Sequence, residues 1–310
     1  MLRFALKFLV SAAMIGALLL FTDSAQIAEK LRGADLSWLA VVLACLTLST
    51  FLMAKRWQWV AQNFGLEIAF GRAVREYYLA QLINMILPGG VAGDAARAVR
   101  VRDTGDLSRA AQSVIIDRLI GQICLFTLMF LGFVVVLWVP GGVAWPSWIW
   151  LVLAAMPVIA GAVLFFARGD GRIGGFLTHL VRNLREPRQA FLAATIAVLL
   201  CYSMYASARA IGAILPASTV FTLIPLVLTA MLVPLSIGGW GWREAAAVVL
   251  FPMASASASE GAATGIVYGT MILLAACPAF LFLLTDTKNT KAAEVAEYTP
   301  EKSDRKLEVQ

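Results

Sequence analysis

Pro88-Gly89-Gly90-Val91-Ala92-Gly93-Asp94 and Pro234-Leu235-Ser236-Ile237-Gly238-Gly239-Trp240-Gly241-Trp242-Arg243-Glu244 are the two stretches that decide how this chain folds. Each breaks an apolar run with proline and glycine and then places charge where a continuous membrane helix would run. A bilayer core offers no water to free backbone N–H and C=O groups, so irregular backbone survives there only where protein buries it or where it lines a wet cavity. Matched interruptions in the two halves of a membrane protein point to a binding site between repeats of opposite orientation.

The residues around these turns are those of a polytopic membrane protein. The chain is 60% hydrophobic and 14% charged over 310 residues, with a mean hydropathy of +0.81, far more apolar surface than a soluble core of this size could bury. The net charge of +6 does not imply a nucleic-acid partner, because the basic residues fall in short segments between apolar spans, where they orient a membrane protein. Cys45, Cys124, Cys201 and Cys277 lie in apolar stretches at wide spacing, with no CxxC pair, and read as small buried hydrophobes; neither a disulfide nor a metal site is expected. His179 is the only histidine and falls in a basic stretch that reads as a solvated loop. The apolar run after Arg3 and Lys7 reads as a retained helix rather than a cleaved signal peptide.

Runs long enough to cross about 30 Å of hydrocarbon fall near residues 4–22, 36–54, 114–138, 147–167, 190–211 and 262–284. Two further apolar regions are split by the glycine turns: 71–87 with a return from 94 to about 105, and 220–234 with a return over 242–253. Their arms are short for full crossings, and each reads as a re-entrant hairpin. The fold expected is therefore all-α: six full transmembrane helices plus two re-entrant helical hairpins, arranged as an inverted repeat. Repeat 1 spans about 1–138 and repeat 2 about 147–285, within a membrane domain over 1–285. Residues 286–310, charged and poor in apolar side chains, read as a disordered cytoplasmic tail.

With both termini placed in the cytoplasm, 20 of the 25 lysines and arginines fall on that side, eight of them between Lys55 and Arg109. That excess predicts a multi-pass protein of the cytoplasmic (inner) membrane with cytoplasmic N- and C-termini. Trp38, Trp57, Trp59, Trp138, Trp145 and Trp148 lie near span ends and read as interfacial anchors; Trp240 and Trp242 sit at the second turn, where they either pack against it or line a cavity.

Charge at bilayer depth costs at least about 2.5–3.5 kcal/mol on insertion scales, so each such residue is expected to be paired, hydrated or functional. Asp94 and Arg97 share a helix face at i,i+3 after the first turn, where Asp94 also reads as a helix N-cap. Asp117 and Arg118 open the third full span, Arg209 lies late in the fifth, and Arg243 and Glu244 follow the second turn. Arg118 and Arg209 are long enough to snorkel to an interface. The half-helices beginning near Asp94 and Arg243 present positive amide ends, and the forks of Arg97 and Arg243 suit a phosphate or phosphodiester headgroup. Asp94 and Glu244 would hold those arginines in the absence of ligand. The expected substrate site thus comprises Asp94, Arg97, Arg118, Trp240, Trp242, Arg243 and Glu244, framed by Pro88, Gly89, Gly90, Gly93, Gly238, Gly239 and Gly241.

Leu87-Pro88-Gly89-Gly90-Val91-Ala92-Gly93-Asp94-Ala95-Ala96-Arg97, Asp117-Arg118-Leu119-Ile120-Gly121 and Ser236-Ile237-Gly238-Gly239-Trp240-Gly241-Trp242-Arg243-Glu244-Ala245 together resemble the lysylphosphatidylglycerol synthase transmembrane, or flippase-like, family over about residues 1–285. The resemblance implies a membrane domain with two re-entrant elements that moves lipids between leaflets, for example aminoacylated phosphatidylglycerol or polyprenyl-phosphate-linked sugars. In the synthases a soluble aminoacyl-transferring domain follows; this sequence stops at Gln310, so the expectation is the membrane domain without synthesis by that route.

The leading expectation is a lipid translocase that acts by alternating access on a lipid with an anionic headgroup, is not an enzyme, uses no cofactor and is compatible with a homo-oligomer. A membrane-embedded lipid phosphate phosphatase is an alternative, but it needs a nucleophile or activated water with acid and base partners, and here Ser236 stands alone with no histidine near it. A transporter of small soluble anions using the same site is the other alternative.

Overall fold

Asp35 opens the first long helix of the computed structural model by accepting the Ser37 amide at 2.7 Å, and Ser257 and Glu260 open the last by exchanging backbone bonds at 3.1 and 2.8 Å. The structure describes residues 16, 23–87, 90–102, 106–138, 145–169, 171–233 and 237–284. The expected span at 4–22 (apart from Gly16), Pro88, Gly89, Ser236 and the 286–310 tail lie outside the described residues.

Among those residues the elements run α1 Ser24–Arg32, α2 Leu36–Gln62, α3 Phe70–Ile86, α4 Ala92–Val101, α5 Leu107–Trp138, α6 Ser147–Phe166, α7 Arg172–Arg185, α8 Pro187–Ala210, α9 Leu223–Ala230, α10 Trp242–Leu250 and α11 Ala258–Ala276. Short 3₁₀ turns at Ala217–Phe221 and Phe251–Ala254 flank the α9–α10 pair, and there is no strand. Five described helices are long and apolar enough to cross a membrane: those over Leu36–Gln62, Leu107–Val136, Ile149–Phe166, Pro187–Ala210 and Ala258–Leu284. The protein is an all-helical, multi-pass membrane protein. Leu131, Val135, Leu151, Val158 and Phe165 are more than half exposed, which suits hydrocarbon rather than water. Hydroxyls inside these helices are satisfied locally, as when Thr50 donates to the Leu46 carbonyl at 3.1 Å and Ser207 to that of Ser203 at 2.9 Å.

Helices α2 and α8 form the central pair and run antiparallel. The Asp35 amide at the start of α2 donates to the Ala210 carbonyl at the end of α8 (2.8 Å), and Gln189 near the start of α8 reaches the Arg56 carbonyl near the end of α2 (3.4 Å). Around them the packing comes in matched pairs. α4 lies on α5 as α10 lies on α11; α3 lies on α4 as α9 lies on α10; α5 crosses α8 as α11 crosses α2; and α7 rests on α5 as α1 rests on α11. Both glycine-turn regions are helix–turn–helix units with short arms, 17 and 10 residues around the first turn, 8 and 9 around the second.

Several sequence expectations need correction. The second span does not stop at 54: α2 continues to Gln62 and carries Arg56 and Trp57 into the protein interior, so Arg56 is no loop cation and Trp57 no interfacial anchor. His179 belongs to the amphipathic helix α7, half-buried with its ring 4.9 Å from that of Phe64, instead of to a solvated loop. Of the four cysteines only Cys201 is fully buried, and Cys277, at the C-cap of α11, is exposed.

Candidate functional site

The residue at the N-cap of α4 is Val91, which has no side-chain acceptor. Asn84, on the facing arm α3, does the capping: its Oδ1 accepts the Gly93 amide at 2.7 Å while its Nδ2 donates to Asp94 at 2.9 Å. Asp94 is thereby displaced from the cap expected of it into the first turn, where it is free to pair with cations. Arg97 donates to it at 3.1 Å, and Arg118 of α5 bonds both Asp94 and the Gly90 carbonyl, the latter at 2.8 Å. Gly93 permits this arrangement because α4 lies so close to α3 that any Cβ there would meet the Ala80 carbonyl oxygen.

Behind this pair lies Asp117, fully buried. It accepts from Arg56 Nε at 2.8 Å and from the Tyr77 hydroxyl, and Arg97 Nη2 stands 3.5 Å away. Arg97 is held between rings, its guanidinium 4.4 Å from the Trp57 centroid and 4.2 Å from that of Tyr77. Three guanidinium groups, of Arg56, Arg97 and Arg118, therefore share two carboxylates, Asp94 and Asp117. Buried donors are left over: Arg56 Nη1 and both Nε and Nη1 of Arg97 have no hydrogen-bond partner. At the edge of the cluster Glu76 holds Arg100 at 2.5 Å.

The second turn builds a smaller relative of this site. Gly238, Gly239 and Gly241 take φ of 57°, 81° and 91°, left-handed values that a side chain resists, which is why three glycines recur within four positions. Glu244 reaches back to the Gly241 amide at 2.7 Å and so caps α10 while also pairing with Arg243 at 3.1 Å. Arg243 is fully buried; its guanidinium lies 4.9 Å from the ring of Trp240 and 5.8 Å from that of Tyr268, and its Nη1 is unpartnered. Trp242 is half-buried with its indole N–H unpaired. Glycines at 261, 265 and 269 form one stripe on α11; the first faces the Ala247 backbone, the others Glu244 and Arg243.

The two turns approach one another. A Cβ on Gly238 would stand 3.1 Å from Met85 Cα and 3.2 Å from the Met85 carbonyl oxygen, at the end of the arm leading into the first turn. The structure thus gathers Asp94, Arg97 and Arg118 into one cluster and Trp240, Arg243 and Glu244 into another, joined at the contact between turns. Arg209 stays apart, its guanidinium 5.7 Å from the Trp38 ring.

Arg56, Trp57, Tyr77 and Asn84 were missed as site residues. A signal for Arg56 exists: from Ala54 to Gln62 the chain has no glycine or proline, and Trp57, Val60 and Ala61 keep a helical apolar spacing, so the helix had no reason to stop. Residues 4–284 match the family described as the lysylphosphatidylglycerol synthase TM region. No curated protein matches the chain.

Proposed function

The chain belongs to the lysylphosphatidylglycerol synthase transmembrane family, and from that premise we propose that it is a lipid translocase, carrying a lipid with an anionic headgroup between leaflets by alternating access. The observation that carries this reading is the charge imbalance of the cluster: three arginines on two carboxylates, Asp94 and Asp117, with Arg56 and Arg97 deeply buried and their N–H donors left unpaired. Buried N–H donors without acceptors are costly, and a phosphate or phosphodiester oxygen that accepts them, and balances the charge of the part-exposed third arginine, relieves that cost. Arg118, the most exposed of the three with 39% of its side chain accessible, meets the headgroup first; Asp94 and Glu244 hold the remaining arginines until it arrives.

The antiparallel α2–α8 pair and the matched packing on either side of it support an inverted repeat in which each glycine-turn unit is re-entrant. The halves rock about the central pair, and the acyl or prenyl chains stay in the bilayer. Aminoacylated phospholipids and polyprenyl-phosphate-linked lipids both fit the site chemistry. The setting is the inner membrane with both termini cytoplasmic, and the site binds without catalysing.

The test is reconstitution into vesicles with a panel of labelled lipids, scored by leaflet accessibility. Wild type moves at least one anionic lipid, and Arg97→Gln and Arg243→Gln each abolish that movement while the protein still inserts and elutes as a folded species. Wild-type movement by both variants refutes the site, and release of inorganic phosphate from a lipid diphosphate substrate points instead to a phosphatase.

A further inference from the structure

Helix α6 is almost wholly apolar and barely covered by protein: Leu151, Val158 and Phe165 are 74%, 70% and 68% exposed. It ends at Phe166, and past Ala167 and Arg168 the chain turns back into α7, an amphipathic helix whose Leu180 is buried against the core while Phe176, Leu177 and Leu184 pack beside it. Thr178 ties the two elements together by donating to the Ala167 carbonyl at 2.8 Å. Thr178, Val181, Arg182 and Arg185 recur at the spacing of one helical face, and that face looks back at the end of α6.

A cavity of about 380 Å³ lies between them, walled by Leu164 and Val181 and rimmed by Arg168, Arg182 and Arg185. All three arginines are exposed, and among the described residues none has a carboxylate within ion-pair distance. Three unpaired guanidinium groups converge on a notch at the end of a lipid-facing helix. The walls below are apolar and run into α6, whose exposed side chains continue the apolar surface toward the bilayer interior. The site therefore has two chemistries in a fixed order, cationic at the rim and hydrocarbon along the wall, the order found along a membrane phospholipid.

We infer that the α6–α7 notch is a second lipid site, distinct from the translocation cluster, which holds one anionic phospholipid with its phosphodiester on Arg168, Arg182 and Arg185 and its acyl chains along α6. Forked N–H donors suit the phosphate oxygens, and the surplus of charge selects an anionic over a zwitterionic headgroup. The bound lipid fills the gap beneath α7 and fastens that helix to the membrane surface.

The full-length protein is purified, delipidated with detergent, exposed to equal amounts of phosphatidylglycerol and phosphatidylcholine, and read by native mass spectrometry for retained lipid. Wild type keeps phosphatidylglycerol in preference to phosphatidylcholine, and in an Arg97→Gln background, where the notch alone holds lipid, each of Arg168→Gln, Arg182→Gln and Arg185→Gln lowers that retention about five-fold. Arg188→Gln, next to the notch in sequence but not lining it, leaves retention unchanged, and Arg182→Lys restores part of it. Because Arg97→Gln empties only the translocation cluster, one phosphatidylglycerol remains on that variant. Equal retention of the two lipids, wild-type retention by a triple Arg→Gln variant with unchanged helicity, or displacement of the lipid by inorganic phosphate alone would overturn the assignment.

Discussion

Asp117 sits where two helices bring an arginine each and a third a tyrosine hydroxyl, and its removal is the most informative single change at the residue scale. Arg56 and Tyr77 donate to it and Arg97 leans on it, so Asp117→Asn leaves two buried guanidinium groups short of countercharge. Breaking a buried pair on one side costs about 3–5 kcal/mol, and Asp117→Asn is expected to lose that much in denaturant unfolding of the detergent-solubilised protein. A loss below about 1 kcal/mol would mean that water already hydrates this cluster. Gly269 poses the opposite problem, one of space. A Cβ there would stand 2.1 Å from Arg243 Nη2, so Gly269→Ala forces the guanidinium out from between Trp240 and Tyr268. The expected cost is about 1–3 kcal/mol, measured in the same unfolding assay. Thr270→Ala, one position on and exposed, is expected to stay within about 0.5 kcal/mol.

At the scale of elements, what could be read from the sequence and what could not divide along a physical line. The short arms around each glycine turn were legible because proline and glycine act on their own backbone, and the pairing of Asp94 with Arg97 was legible because both lie on one turn of one helix. The share Arg56 takes in the site was not, because its partner Asp117 lies 61 residues away on another helix and no local pattern encodes that meeting. Asn84 escaped for a similar reason. It caps a helix that it does not belong to, from the arm across the turn, whereas N-cap reasoning looks only at residues preceding the helix. Glu244 was placed correctly after the turn, yet its bond back to the Gly241 amide makes it a structural cap as well as Arg243's partner, so removing it would disturb the backbone and the charge together. Arg243→Gln is for that reason the cleaner test of headgroup binding on this side.

At the scale of the whole molecule, the two glycine-turn units touch at Gly238 and Met85, and the alternating access proposed here requires that contact to open or shift. A covalent link at this point separates a moving contact from a fixed one. A Cβ at Gly238 lies 3.1 Å from Met85 Cα, which brings paired cysteines within the Cβ separation of about 3.5–4.5 Å that a disulfide needs. Gly238 has φ of 57°, so a cysteine there costs about 1–2 kcal/mol in backbone conformation, and the Met85 backbone must also yield by a few tenths of an ångström to admit its Cβ. Met85→Cys with Gly238→Cys, in a background with Cys45, Cys124, Cys201 and Cys277 replaced by alanine, is expected to cross-link under mild oxidation, shown by a mass shift that reductant reverses. The oxidised protein is expected to stop moving labelled lipid in vesicles while retaining lipid in the α6–α7 notch, and reduction restores movement. Undiminished movement in fully cross-linked protein would place the hinge elsewhere, because two halves locked at their turns cannot alternate access to a site built between those turns.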